Sequence, residues 1–87
     1  MRYRVEVSPV AHRELRKIPE DKRERILRRI RSLAEDPRPA GVQKLAGEVD
    51  GYRIRVGDYR VLYRVKDDVL LIVVVRVGHR REVYRVR

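Results

Sequence analysis

Eighty-seven residues suffice for one domain, and a chain of this size buries only about 60–65% of the surface that its unfolded form exposes, so the core must be small. Apolar residues (43%) and charged residues (41%) are in the balance of a globular chain, while the lack of cysteine excludes disulfides, zinc-thiolate sites, iron–sulfur clusters and thiol catalysis and fits a reducing, cytoplasmic setting. Twenty-three basic minus 13 acidic side chains leave a net charge of +10, which calls for a polyanionic partner, and 19 of the basic residues are arginine, whose planar fork matches phosphate oxygens.

The chain opens on Arg2 to Val7, where charged and apolar residues alternate and valine is frequent. That pattern predicts a strand with one face on a core, and it contains no apolar signal core. Ser8-Pro9 supplies a capping hydroxyl and a proline at the first helical position. The helix that follows carries Ala11, Leu15 and Ile18 on one side and ends at Pro19. A second helix begins there, with Glu20 and Asp21 at its positive end and Ile26, Leu27, Ile30, Leu33 and Ala34 as its buried stripe. The short connection predicts a helical hairpin.

Between Asp36 and Asp50 two prolines, two glycines and a brief apolar patch at Leu45-Ala46 read as a loop held by one anchoring side chain. The period then becomes two. Tyr52 to Val56, the turn Gly57-Asp58, and Tyr59 to Val65 predict a β-hairpin. Asp67-Asp68 reverses the chain, and the apolar run from Val69 to Val77 predicts a central strand covered on both faces. That run is far too short to span a bilayer as a helix. Gly78 should interrupt it, and Val83 to Val86 should form a short last strand. No linker or repeat divides the chain, so residues 1–87 are expected to be a single α+β domain.

A two-residue loop at Gly57-Asp58 pairs Val56 with Tyr59, Arg55 with Arg60, Ile54 with Val61 and Arg53 with Leu62. Directly paired residues share a face of the sheet, as do residues i and i+2. Arg53, Arg55 and Arg60 therefore fall on one face, with Ile54, Val56, Val61 and Tyr63 on the other, toward the helices. Like charges in such proximity are unfavourable, so the cluster points to a bound anion. Arg28, Arg29 and Arg31 follow instead from a solvated helix face, His12 is expected at the surface, and Tyr3, Tyr52, Tyr59 and Tyr63 fit sheet packing.

Two histidines and scattered carboxylates offer no recognisable metal-ligand pair, and neither a glycine-rich phosphate loop nor a Gly-x-Ser-x-Gly elbow occurs. No metal or cofactor is expected. Catalysis by arginine, tyrosine and histidine suits cleavage of RNA by its own 2′-hydroxyl, because the phosphorane formed on the way is highly anionic and fixed cations stabilise it. DNA lacks that hydroxyl.

Lys44-Leu45-Ala46-Gly47, Tyr52-Arg53-Ile54-Arg55, Gly57-Asp58-Tyr59-Arg60-Val61-Leu62-Tyr63 and Val77-Gly78-His79-Arg80-Arg81-Glu82-Val83-Tyr84, in this order of elements, resemble the RelE/ParE toxins of type II toxin-antitoxin modules. The resemblance covers nearly the whole chain. It implies the RelE-like compact α+β fold, with an N-terminal strand, a helical hairpin and antiparallel strands in a twisted sheet bearing the helices on one face. It also implies either of two activities. RelE-type members are ribosome-dependent endoribonucleases that cut mRNA in the A site and leave a 2′,3′-cyclic phosphate, and ParE-type members inhibit DNA gyrase without being enzymes.

On the RelE side, the preferred one, the resemblance places the active site on Arg60, Arg80 and Tyr84. Arg53 and Arg55 would hold RNA phosphates, with His79 and Arg81 as further candidates. The Arg53 and Arg55 positions can be lysine in RelE enzymes, and arginine effectively cannot deprotonate. The general base is thus unassigned; His79, with an unperturbed pKa near 6.5, is a candidate, although a histidine after a loop glycine is usually incidental. The partners expected are the ribosome with its mRNA and an acidic antitoxin, with which the chain could form a heterotetramer; no membrane is involved.

Overall fold

Ser8 does what its position before Pro9 suggests: its Oγ accepts a hydrogen bond from the Ala11 N–H at 3.1 Å and caps the first helix. The computed structural model describes residues 2–79, and the strand expected over residues 83–86 lies outside them. In chain order the elements are β1 (Arg4–Val7), α1 (Pro9–Arg16), α2 (Glu20–Ser32), β2 (Gln43–Lys44), β3 (Gly51–Val56), β4 (Tyr59–Lys66), a 3-10 turn (Asp67–Val69) and β5 (Leu71–His79). None of the helices among the described residues is long and apolar enough to cross a membrane.

The five strands among the described residues form one mixed sheet in the order β1-β5-β4-β3-β2. Of these, β1 alone runs parallel to its neighbour, β5; the other three pairings are antiparallel. Both helices cover the same face. Ala11, Leu15 and Ile18 from the first helical segment and Ile26, Ile30 and Leu33 from the second meet Ile54, Val61, Tyr63, Val65, Ile72, Val74 and Val77 in the core. Apolar area removed from water in this way contributes about 25 cal/mol per Å², and the contact between helices and sheet is where most of it lies.

Three expectations need correction. The loop before β3 contains a strand: Gln43 and Lys44 pair with Arg53 and Tyr52, and Val42 packs against the core there. A two-residue strand carries no period of its own, so alternation could not announce it. The last apolar run is not covered on both faces. Ile72, Val74 and Val77 are buried, whereas Leu71, Val73 and Val75 are half-buried on the side without helices. Val69 stands outside the strand, 63% exposed in the 3-10 turn. Gly78, finally, continues β5 rather than interrupting it.

One extra residue in β5 breaks its register against β4. Leu62 pairs with Arg76 but Tyr63 with Val74, leaving Val75 as a bulge. The Ser8 hydroxyl donates to the Val75 carbonyl at 3.0 Å, so the cap of α1 also holds the bulge. Beyond it β1 has ended, and Glu14 of α1 takes its place at the strand edge. The Glu14 carboxylate accepts from the Val77 N–H at 2.8 Å and from the Arg76 guanidinium at 2.6 Å.

The long connection from α2 to β3 is tied to the far end of the sheet. Tyr63 donates its hydroxyl hydrogen to the Pro37 carbonyl at 2.7 Å, and burial pushes its pKa up to about 12. Arg38 grips both carboxylate oxygens of Asp67 and donates to the Tyr52 hydroxyl, while Tyr3 donates to Asp67 at 2.6 Å. The Arg38 bond first, and the Tyr3 bond second, hold the Asp67 carboxyl below its ordinary pKa. Because the folded value is the lower one, this stabilisation is complete above the unfolded pKa of about 3.9 and disappears as pH falls through the folded value. Melting curves on either side of pH 4 should therefore show a smaller acid-induced loss for Asp67→Asn than for the wild type; equal losses would mean that the clamp adds nothing.

Gly57 adopts φ +61°, a conformation that an L side chain resists. Gly57→Ala should lower stability by about 1–2 kcal/mol in urea titrations.

Candidate functional site

The turn at Gly57-Asp58 fixes everything about the open face of the sheet. A positive φ at Gly57 and not at Asp58 is the pattern of a type II′ hairpin turn, and the register it sets is Val56 with Tyr59, Arg55 with Arg60, Ile54 with Val61 and Arg53 with Leu62. This is the pairing expected from the sequence. Ile54, Val61 and Tyr63 are accordingly buried against the helices, and Arg53, Arg55 and Arg60 lie together on the opposite face.

These three arginines, with Gly41 and Gln43, line an open cavity of about 330 Å³. Arg55 is exposed and its Nε donates to the Gly57 carbonyl at 3.2 Å, bracing the guanidinium on the turn. Arg53 is half-buried. Its Nε donates to Gln43 Oε1 at 2.8 Å, and its Nη2 donates to the same oxygen. Gly41, at φ +88°, lets the chain curl toward the cavity just before β2. Neither Gly41 nor Gln43 belongs to an alternating run, and the nearest sequence signal to them is the adjoining Lys44-Leu45 of the string that resembles the family.

Farther along the same face Arg64 and Lys66 form ion pairs. Arg64 binds Glu48 at 2.7 Å and Asp50 at 3.2 Å, and Lys66 binds Asp50 at 2.9 Å. Lys66 in the first place lowers the Asp50 pKa. These bridges fasten the segment before β3 to β4, so Arg64 and Lys66 serve the fold.

His79 is separated from the arginine cavity. It pairs with Tyr59, its ring meets the Tyr59 ring edge-on with centroids 5.9 Å apart, and it lines a different cavity with Glu14, Lys17, Ile18, Arg76 and Val77. The bulge at Val75 explains this. It inverts the alternation along β5, so that Val77 and His79 share the helix side with Tyr59, while Gly78 stands opposite Arg60. Arg80, Arg81 and Tyr84 lie outside the described residues. Elsewhere, Tyr52 stacks on Tyr63 with ring centroids 5.9 Å apart, His12 is exposed, and Arg28 and Arg31 are exposed on α2.

Comparison with known proteins places these features in a family. The family model described as the ParE toxin of type II toxin-antitoxin systems, parDE, matches residues 5–84. Toxin RelG of Mycobacterium tuberculosis is 35% identical over 91 residues, covering 98% of this chain and 99% of that protein. The mRNA interferase toxin RelE of Escherichia coli is 33% identical, over 97% of this chain and 92% of its own. Among solved structures, the archaeal RelE-RelB complex from Pyrococcus horikoshii contains a chain of TM-score 0.82 and 33% identity, with 92% of this chain and 97% of that chain covered.

Arg55 and Arg60 are directly opposed, which costs some tenths of a kcal/mol. Arg55→Gln should therefore raise the melting temperature by about 1–3 °C at low ionic strength. The gain should shrink as salt screens the pair. A lower melting temperature at every salt concentration would show that Arg55 stabilises the turn more than it repels its neighbour.

Proposed function

Because the chain belongs to the RelE/ParE superfamily of type II toxin-antitoxin toxins, we propose that it is a ribosome-dependent mRNA interferase, residues 1–87 acting as one toxin domain. The meeting of Arg53, Arg55 and Arg60 around one cavity carries this reading, in a chain with a relative named an mRNA interferase toxin. The reaction needs no metal. The 2′-oxygen of the RNA attacks the adjacent phosphorus and loses its proton, the bond to the 5′-oxygen breaks, and that oxygen takes up a proton. A 2′,3′-cyclic phosphate and a 5′-hydroxyl result.

Arg60 and Arg80 act on the charge that grows on the phosphorane, where preorganised cations count most. Arg80 follows the last residue of β5 in sequence, and Gly78 of that strand pairs with Arg60. Arg53 and Arg55 grip the flanking phosphates, assisted by Arg81. Tyr84 stacks on a base or moves a proton, and Tyr84→Phe, which keeps the ring and removes the hydroxyl, distinguishes the two. His79 faces away with Tyr59 and is given no phosphate contact. With a charge of +10, the partner that restrains the toxin is an acidic antitoxin whose segments cover the arginines.

A second reading, inhibition of DNA gyrase as a binding module, is favoured by one observation, the ParE description of the matching family model. Primer extension on ribosome-bound mRNA separates the two. The wild type should leave discrete cuts while gyrase supercoiling continues, and a 2′-deoxyribose at the scissile position should block cutting. Arg60→Ala should slow cleavage about 100- to 1,000-fold with ribosome binding little changed. Intact transcripts together with trapped gyrase would transfer the assignment to the second reading.

A further inference from the structure

Within the arginine cavity one contact joins two side chains with no opposite charges to draw them together. Gln43 and Arg53 are paired residues of β2 and β3, and a single amide oxygen receives both Nε–H and Nη2–H of the guanidinium. Two donors of one guanidinium edge on a single acceptor turn that edge toward β2 and, with the side chain rooted on β3, leave the group little freedom to swing. Gln43 can impose this because its own strand is held firmly. Arg38 ties the preceding segment to Asp67 and Tyr52, the Tyr63 hydroxyl holds Pro37, the Val42 N–H donates to Pro39 O, and Leu45 N–H donates to Gly51 O across the end of β3.

The choice of side chain matters as much as the geometry. A carboxylate in the same place would hold the guanidinium more tightly, yet it would cancel the charge that a phosphate needs. An amide orients the cation without adding an opposite charge of its own. We propose that Gln43 is a positioning residue, which acts on RNA through Arg53 by holding its guanidinium in one orientation at the cavity. The proposal rests on the ribonuclease reading for its consequence in cleavage and on the free protein for its contact.

Two measurements on Gln43→Ala, Gln43→Glu and Arg53→Ala, each checked for folding by circular dichroism, test it. In nitrogen-15 NMR of the free protein, with the Arg53 Nε–H signal assigned by its loss in Arg53→Ala, the signal should be dispersed and slowly exchanging in the wild type. It should persist in Gln43→Glu and become solvent-exchanging in Gln43→Ala. In cleavage of ribosome-bound mRNA, Gln43→Ala should lower the single-turnover rate about ten- to hundredfold, the range expected of a misplaced group, with little change in ribosome affinity. Gln43→Glu should also lose activity, through charge rather than orientation. In the Arg53→Ala background, Gln43→Ala should add no further loss.

An unchanged Nε–H signal in Gln43→Ala, or a second full loss in the Arg53→Ala background, would overturn the proposal. If folded Arg53→Ala cuts mRNA at the wild-type rate, the proposed use of Arg53 fails, and the positioning role in cleavage fails with it. If none of Arg53→Ala, Arg55→Ala and Arg60→Ala affects cutting, the whole arginine cavity is excluded as the site.

Discussion

The two residues of the Gly57-Asp58 turn decide which face of the sheet every side chain of β3 and β4 occupies. A hairpin with a loop one residue longer or shorter would shift the pairing, and a shift of one residue turns one strand over relative to the other. With Ile54 still on the core, Leu62 would replace Val61 beside it and Arg60 would turn under the helices, where burying a cation costs several kcal/mol. Burial of the valines and clustering of the arginines are therefore not separate achievements. The same turn produces both, and the unfavourable charge cluster is carried by the favourable core on its reverse side.

A second constraint acts on β5, where the bulge at Val75 reverses the alternation halfway along the strand. Before it, Ile72 and Val74 face the helices; after it, Val77 and His79 do. Arg76, which interrupts an otherwise apolar run, acquires its explanation from this geometry. Its guanidinium meets Glu14 on α1, raising the arginine pKa, and the same carboxylate satisfies the Val77 N–H that β1 is too short to reach. A buried-edge donor left without a partner would cost about 1–3 kcal/mol, so a single acidic residue of α1 completes the sheet where a strand ends.

These two features mark the boundary of what the sequence discloses. The hairpin was legible because a two-residue turn and strict alternation leave one register, and the helices because Ser8-Pro9 and Pro19 state where they begin. The bulge was not legible. Nothing in Leu-Ile-Val-Val-Val-Arg-Val distinguishes a continuous strand from one with an extra residue, since apolar side chains suit both faces of a half-covered sheet. That is why the run read as buried on both sides, and why the face taken by His79 could not be told. The edge strand β2 escaped for a different reason: two residues are enough to form a pairing with β3 and too few to display a pattern, so Gln43 entered the cavity from a stretch that read as loop.

The pairing of β1 with β5 gives the molecule a property of timing. Among the described residues β1, the first strand made, pairs with β5, the last, Arg4 with Leu71 and Val7 with Val74. Contacts so distant in sequence form late, after the loop between them has been closed at an entropic cost. During synthesis the helices can gather, but Val5 and Val7 have no sheet to join until β5 has emerged, and Glu14 has no strand edge to cap. Until β5 is made, the strand that must lie between β1 and β4 is missing, and the two sides of the sheet cannot be joined.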